Sequence, residues 1–151
     1  MKKEKKNLNL KNAHDKKQLE KMVAIEKQKI CPFCPKYLKE YHDTPIIKIG
    51  ENWVITFNDY PYKGTKYHFL LITKKHLNKI SQLKPEIMSE LSKHINWLVK
   101  KYKIPGASLV LRFGDTDYTG GTVDHLHCHL IVGGKGSTKK EKILGTLGYQ
   151  K

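Results

Sequence analysis

Residues His125-Leu126-His127-Cys128-His129-Leu130 constrain this chain more than any other stretch. Three imidazoles alternate with apolar side chains, a period of two that suits a β-strand. Strand residues two apart emerge on one face about 6.5 Å from each other. The histidines therefore share one side, and Leu126, Cys128 and Leu130 turn to the other. A strand serving only to pack would not gather three imidazoles on one surface. Imidazole changes protonation near neutral pH and acts as both nucleophile and metal ligand. The row reads as chemistry carried on a strand.

The surrounding pattern predicts the scaffold. Lys-rich residues 1–12 read as disordered. Leu19, Met22, Val23 and Ile30, with Ile25 at their flank, predict a helix over 13–30. Cys31-Pro32-Phe33-Cys34-Pro35 follows as a knuckle whose prolines exclude regular helix. Strands are predicted at 46–49, 53–57, 67–73, 107–113 and 123–132, and a helix opens at Pro85 and runs to about Tyr102. This order predicts an α+β domain with an antiparallel sheet of about five strands, a crossover helix and an N-terminal helix. The division expected is a basic, partly helical extension over 1–29 and a catalytic domain over 30–151.

A chain of 151 residues can bury one sizeable core. No run has the length of a membrane-spanning helix and no signal-peptide pattern opens it, so a cytoplasmic protein without a membrane partner is expected. The formal charge of +15 arises from 29 Lys plus Arg against 14 Asp plus Glu, and Arg112 is the only arginine. Nucleic-acid readers lean on arginine forks, so lysine-dominated charge argues against a dedicated one, although the basic tail could reach nucleic acid.

Cys31 and Cys34 form a CxxC, half of a tetrahedral metal site. Redox chemistry would want this pair opening a helix after a strand, a poor fit to its prolines. By spacing, the completing ligands stay open among His14, His42, His68, His76, His94, His125, His127 and His129. His14, His42 and His94 lie in no motif, and His94 beside Lys93 reads as a solvated helix residue. Trp53, Trp97 and Cys128 read as packing residues. The segment 114–122, rich in Gly, Asp and Thr, offers backbone N–H groups and hydroxyls of the kind that cradle phosphate oxygens.

Gly121-Thr122-Val123-Asp124-His125-Leu126-His127-Cys128-His129-Leu130-Ile131-Val132 resembles the signature of the histidine-triad (HIT) superfamily of nucleotide hydrolases and transferases. His68-Phe69-Leu70-Leu71-Ile72-Thr73-Lys74-Lys75-His76 is similar to that family's upstream strand with its closing Lys-x-His. Asn58-Asp59-Tyr60-Pro61-Tyr62 is similar to the nucleoside-binding loop of the diadenosine-polyphosphate branch. The resemblance covers about residues 31–134.

It implies a HIT-like fold, in which His127 is the nucleophile that attacks an α-phosphorus to give a nucleotidyl-imidazole, and His129 binds phosphate oxygens or protonates the leaving group. Gly121 and Thr122 stabilise phosphoryl charge, His68 stands on the phosphate side, and Asn58 and Asp59 meet the ribose, with Phe57 and Tyr60 near the base. It further implies a structural zinc held by Cys31, Cys34, His76 and His125, no organic cofactor, and a homodimer. The substrate implied is a nucleotide or dinucleoside polyphosphate. Arg112 stands where many members carry asparagine, and its fork could grip phosphate. Competing readings are a nucleotidyl transferase or nucleoside phosphoramidase on the same scaffold, and a non-catalytic zinc- or nucleotide-binding module. Retention of all three histidines favours the hydrolase-like branches, since the galactose-phosphate uridylyltransferase branch typically replaces the third with glutamine.

Overall fold

The computed structural model describes residues 6–136 and 141–151. Its centre is a five-stranded sheet in the order β1-β2-β3-β5-β4, formed by β1 (Ile46–Ile49), β2 (Trp53–Phe57), β3 (Tyr67–Thr73), β5 (His127–Val132) and β4 (Ser108–Arg112). Every neighbouring pair is antiparallel. Helix α1 (Lys16–Lys27), helix α2 (Pro35–Tyr41), helix α3 (Pro85–Tyr102) and the short α4 (Thr116–Thr119) complete the α+β arrangement.

Alternation along the strands sorts the side chains between two faces. One face presents Trp53, Ile55, Phe69, Leu71, Cys128, Leu130 and Val132, all buried against Ile87, Leu91 and Leu98 of α3. These helix residues recur at i, i+4 and i+11, the stripe that lets one helix face lie on a sheet. Trp53 adds direction by donating its indole N–H to the carbonyl of Ile87 at 2.8 Å. The opposite face carries Val54, Leu70 and Ile72 under Leu38 of α2, and it also carries the histidines.

Several local expectations give way to the packing. The strand predicted at 123–132 begins only at His127. Before it the backbone serves other partners: Leu126 N–H donates to the Leu77 carbonyl at 2.6 Å, and Val123 bridges to Leu8. The proline-rich knuckle does lead into regular helix, because Pro35 occupies the first turn of α2, where its missing N–H would have no helical partner. Within 114–122, Asp115 caps α4 and Gly120, at φ 70°, ends it in the left-handed region. Residues 8–12 are ordered rather than disordered: Leu8 is buried, and Asn9 N–H donates to the Thr122 carbonyl at 2.8 Å. Residues 1–5 of that predicted disordered stretch lie outside the described residues.

In α1 the buried face is Gln18, Met22 and Ile25, while Leu19 of the predicted stripe is 40% exposed. His94 is buried rather than solvated, its Nε2 3.0 Å from Glu90 Oε1, with Glu90 also accepting from the Asn52 backbone and amide. This pair pins the β1–β2 turn onto α3. Cutting Leu98, which is fully buried, to alanine should cost about 3 kcal/mol, from lost transfer energy and the cavity left behind. Urea unfolding reads the loss; a change below about 1 kcal/mol would contradict the core assignment.

Candidate functional site

Strand register gathers the chemistry. His127 lies opposite Ile72 and Arg112, and His129 lies opposite Leu70 and Val110. Residues paired across a sheet share a face, so His127, His129 and Arg112 emerge together with His68, two residues before Leu70. His125, His127, His129 and His68 are all buried.

The His127 Nδ1 sits 2.5 Å from the carbonyl oxygen of His125. A carbonyl only accepts, so Nδ1 carries the ring proton and Nε2 is left with its lone pair. Burial strips water from the charged form and pulls His127 down to about 3, with Arg112 and His125 adding repulsion. The ring is neutral and of one tautomer, and it borders the cavity that His129, Arg112, Gly121 and Thr122 also line.

His68 Nε2 and His129 Nδ1 are 2.8 Å apart. Burial first, then the repulsion of nearby cationic groups, holds both rings neutral, His68 at about 4 and His129 well below the usual range. Two neutral rings hold two protons on four nitrogens. Yet Tyr62 N–H points at His68 Nδ1 at 3.2 Å, the Asn58 amide at His68 Nε2 at 3.2 Å, and Arg112 Nε at His129 Nε2 at 3.3 Å. Asn58 cannot turn its oxygen in, because that oxygen accepts from Tyr60 N–H at 2.9 Å. Donors outnumber acceptors here, and an anionic oxygen is the group that would balance them. Arg112 further donates to the carbonyls of Thr119 and Thr146 and to Tyr62 Oη.

Other residues singled out by sequence fall differently. Phe57 points to the α3 face, stacked on Phe69 at 4.9 Å, and is not among the residues that line this cavity, away from the base-side place expected of it. Asp59 borders the cavity, but its carboxylate accepts from the backbone N–H groups of Asp43 and Thr44, both at 2.9 Å, and faces His42 and Lys21. Thr122 and Gly121 line the cavity, with the Gly121 carbonyl accepting from the Asn12 amide at 2.7 Å. Sequence reasoning missed Asn12, His14, Gln18, Lys21, His42 and Thr146, which also line it. The sole signal for any of them was the helical periodicity around Met22 and Ile25.

At the other end of the lead-in to β5, ligand atoms of Cys31, Cys34, His76 and His125 all lie within 4.8 Å of one another. Cys31 Sγ is 3.4 Å from His125 Nδ1, Cys34 Sγ 3.4 Å from His76 Nδ1 and 3.8 Å from His125 Nδ1. Tetrahedral bonds of about 2.3 Å to sulfur and 2.0–2.1 Å to nitrogen give S–N edges near 3.6 Å, so the set fits such a metal. His125 Nε2 donates to the Thr73 carbonyl at 2.6 Å, which frees Nδ1 for the metal side. Burial, with Cys34 adjacent, pushes the Cys31 thiol up to about 12, a cost that a dication binding thiolates would reverse.

The family model of the HIT domain matches residues 43–136. The chain belongs to the HIT domain family. Its fold is similar to that of a HIT family hydrolase from Clostridium thermocellum, at 27% identity and a TM-score of 0.57, over 76% of this chain and 96% of that one. A Zn-bound histidine triad family protein from Mycobacterium smegmatis shares the fold at 19% identity and a TM-score of 0.55, over 73% of this chain and 79% of that one. A histidine triad nucleotide-binding protein from Candida albicans does so at 21% identity and a TM-score of 0.55, over 75% and 86%. A search of curated proteins returned no match.

The neutral His68 has a consequence for acid stability. Folded, it protonates at about 4; unfolded, near 6.5, so the unfolded chain takes the proton first. Its contribution is full above about pH 6.5 and is lost as the pH falls toward 4. Between about pH 7 and pH 4.5, His68→Gln should lose about 2 kcal/mol less stability than the parent chain in urea unfolding. Parallel pH curves for the two proteins would contradict this.

Proposed function

We propose that this HIT-family chain is a nucleotide hydrolase or phosphorylase acting on a nucleotide polyphosphate, such as a diadenosine polyphosphate, through a nucleotidyl-histidine intermediate on His127. One observation carries the reading: the carbonyl of His125 accepts a hydrogen bond from His127 Nδ1–H and leaves the Nε2 lone pair of a neutral, cavity-lining imidazole. The donor surplus around His129 and Arg112 supports an anionic substrate beside it.

In the first step Nε2 bonds to the α-phosphorus, and the bond from phosphorus to the bridging oxygen breaks with its electron pair leaving on the polyphosphate. Arg112, His129, Thr122 and the Gly121 backbone are the groups proposed to bear the developing charge. In the second step water, or inorganic phosphate for a phosphorylase, bonds to phosphorus. The P–N pair returns to Nε2, and the proton of the water passes to solvent. Asn58 and Asp59 are assigned to the sugar side, Asp59 through a loop braced by Lys21.

Zinc is proposed as the metal of Cys31, Cys34, His76 and His125. With four protein ligands it would have no open position, so it would supply a cross-link between the CxxC and the lead-in to β5. The catalytic domain is assigned to 30–151 and the basic extension to 1–29, and a cytoplasmic homodimer is proposed. Among the described residues β4 is an edge strand with no second neighbour, and with Leu109 48% exposed that edge offers a surface for a second copy. Among the described residues no helix is long and apolar enough to cross a membrane.

Incubation with mononucleotides, phosphoramidates and dinucleoside polyphosphates, with and without phosphate, names the reaction. On the best substrate His127→Ala should lower kcat at least about 1,000-fold with KM shifted only severalfold. Retained turnover in that variant would overturn the mechanism. Separately, Cys31→Ser protein should hold little zinc by elemental analysis and melt at lower temperature. Unchanged zinc content would exclude the assigned ligand set.

A further inference from the structure

Helix α1 lies outside the 43–136 span that matches the HIT domain, yet it forms a wall of the cavity lined by His127 and His129. Its buried face is Gln18, Met22 and Ile25. Met22 and Ile25 belong there by packing, in the apolar cluster of Cys31, Leu8 and Phe33. Gln18 does not: it is a primary amide only 6% exposed on an otherwise apolar stripe.

Its Oε1 accepts the backbone N–H of His14 at 3.0 Å, which settles which end of the amide is nitrogen. Nε2 then meets no acceptor among the described residues. No fully buried side-chain polar atom among them lacks a partner, so Nε2 keeps accessible surface on a residue that lines the cavity. The helix that carries it is anchored. Asp15 caps it through Gln18 N–H at 3.0 Å, and Lys21 reaches Asp43 at 2.8 Å and Asp59 at 3.4 Å. A donor on a cavity wall, held rigid and without a protein acceptor among the described residues, is a preorganised ligand contact.

We propose that Gln18 is a substrate-binding specificity residue whose Nε2 donates a hydrogen bond to an acceptor atom of the bound nucleotide. This rests on the nucleotide reading above and adds to it a contact from beyond the matched domain. The His14 ring meets Tyr62 edge-on at 5.7 Å, and Tyr62 lies parallel to His129 at 6.2 Å, which ties this turn of α1 to the phosphate-side histidines.

Calorimetric binding of AMP, GMP, CMP and UMP to the full chain tests it, with Gln18→Glu and Gln18→Met as variants. Gln18→Glu keeps the oxygen that His14 uses and replaces the donor by a carboxylate; Gln18→Met keeps length without either group. The expected result is a Kd raised at least about fivefold in Gln18→Met and further in Gln18→Glu, with melting temperatures close to the parent. A loss equal for all bases assigns the acceptor to sugar or phosphate, and a loss confined to one base assigns it to the base edge; either upholds the contact. Unchanged Kd in both variants overturns it. Absence of any nucleotide binding by the parent chain would overturn the nucleotide reading itself, a result visible before any variant is made.

Discussion

The hydrogen bond from His127 Nδ1 to the carbonyl of His125 ties the two ends of the site together. It exists because the chain leaves strand geometry just before His127. A carbonyl engaged in a sheet ladder would be pointed at a neighbouring strand. Here the segment before β5 pairs instead with Leu77, Thr73 and the N-terminal residues around Leu8, and the His125 carbonyl is available to a ring two residues on. The same residue turns its own ring toward Cys31 and Cys34. One histidine thus links a metal-type cluster through its side chain to the tautomer of the next through its backbone.

The sheet separates structural labour from chemical labour. One face carries a dry core against α3, where Trp53, Leu71, Leu98 and Cys128 exclude water. The other carries the three buried imidazoles of His68, His127 and His129 and an arginine, whose polar atoms are expensive to bury unless paired. They are paired largely with one another, through His68, His129 and Arg112, in a network with more donors than acceptors. That imbalance is tolerable in a cavity open to an anion and would be a defect in a sealed core. Placing the core on the far face lets the near face carry the imbalance.

Much of this was legible in the sequence where a short-range period decides the outcome. The alternation at His127 and His129 gave a strand with both rings on one face, and the stripe of Ile87, Leu91 and Leu98 gave the crossover helix. What periodicity does not carry is which surface an element meets. The helix around Met22 was visible, but not that Gln18 rather than Leu19 would be its buried neighbour. Phe57 adjoins the Asn58 loop in sequence, yet the pleat sends it to the opposite face. His94 looked solvated because its partner Glu90 gains value only through Asn52, a contact across the fold. The Cys31–Cys34 pair was legible, whereas its meeting with His76 and His125 came from family resemblance and depends on loop paths that spacing does not encode.

The proposed mechanism requires a bond between His127 Nε2 and phosphorus, and the most direct test is to trap that bond. Rapid acid-free quenching of the full chain with its best nucleotide substrate, followed by peptide mass spectrometry, should find a nucleotidyl mass added to His127 and absent from His127→Ala protein. Turnover without any such adduct, or with the adduct on another residue, would contradict the account.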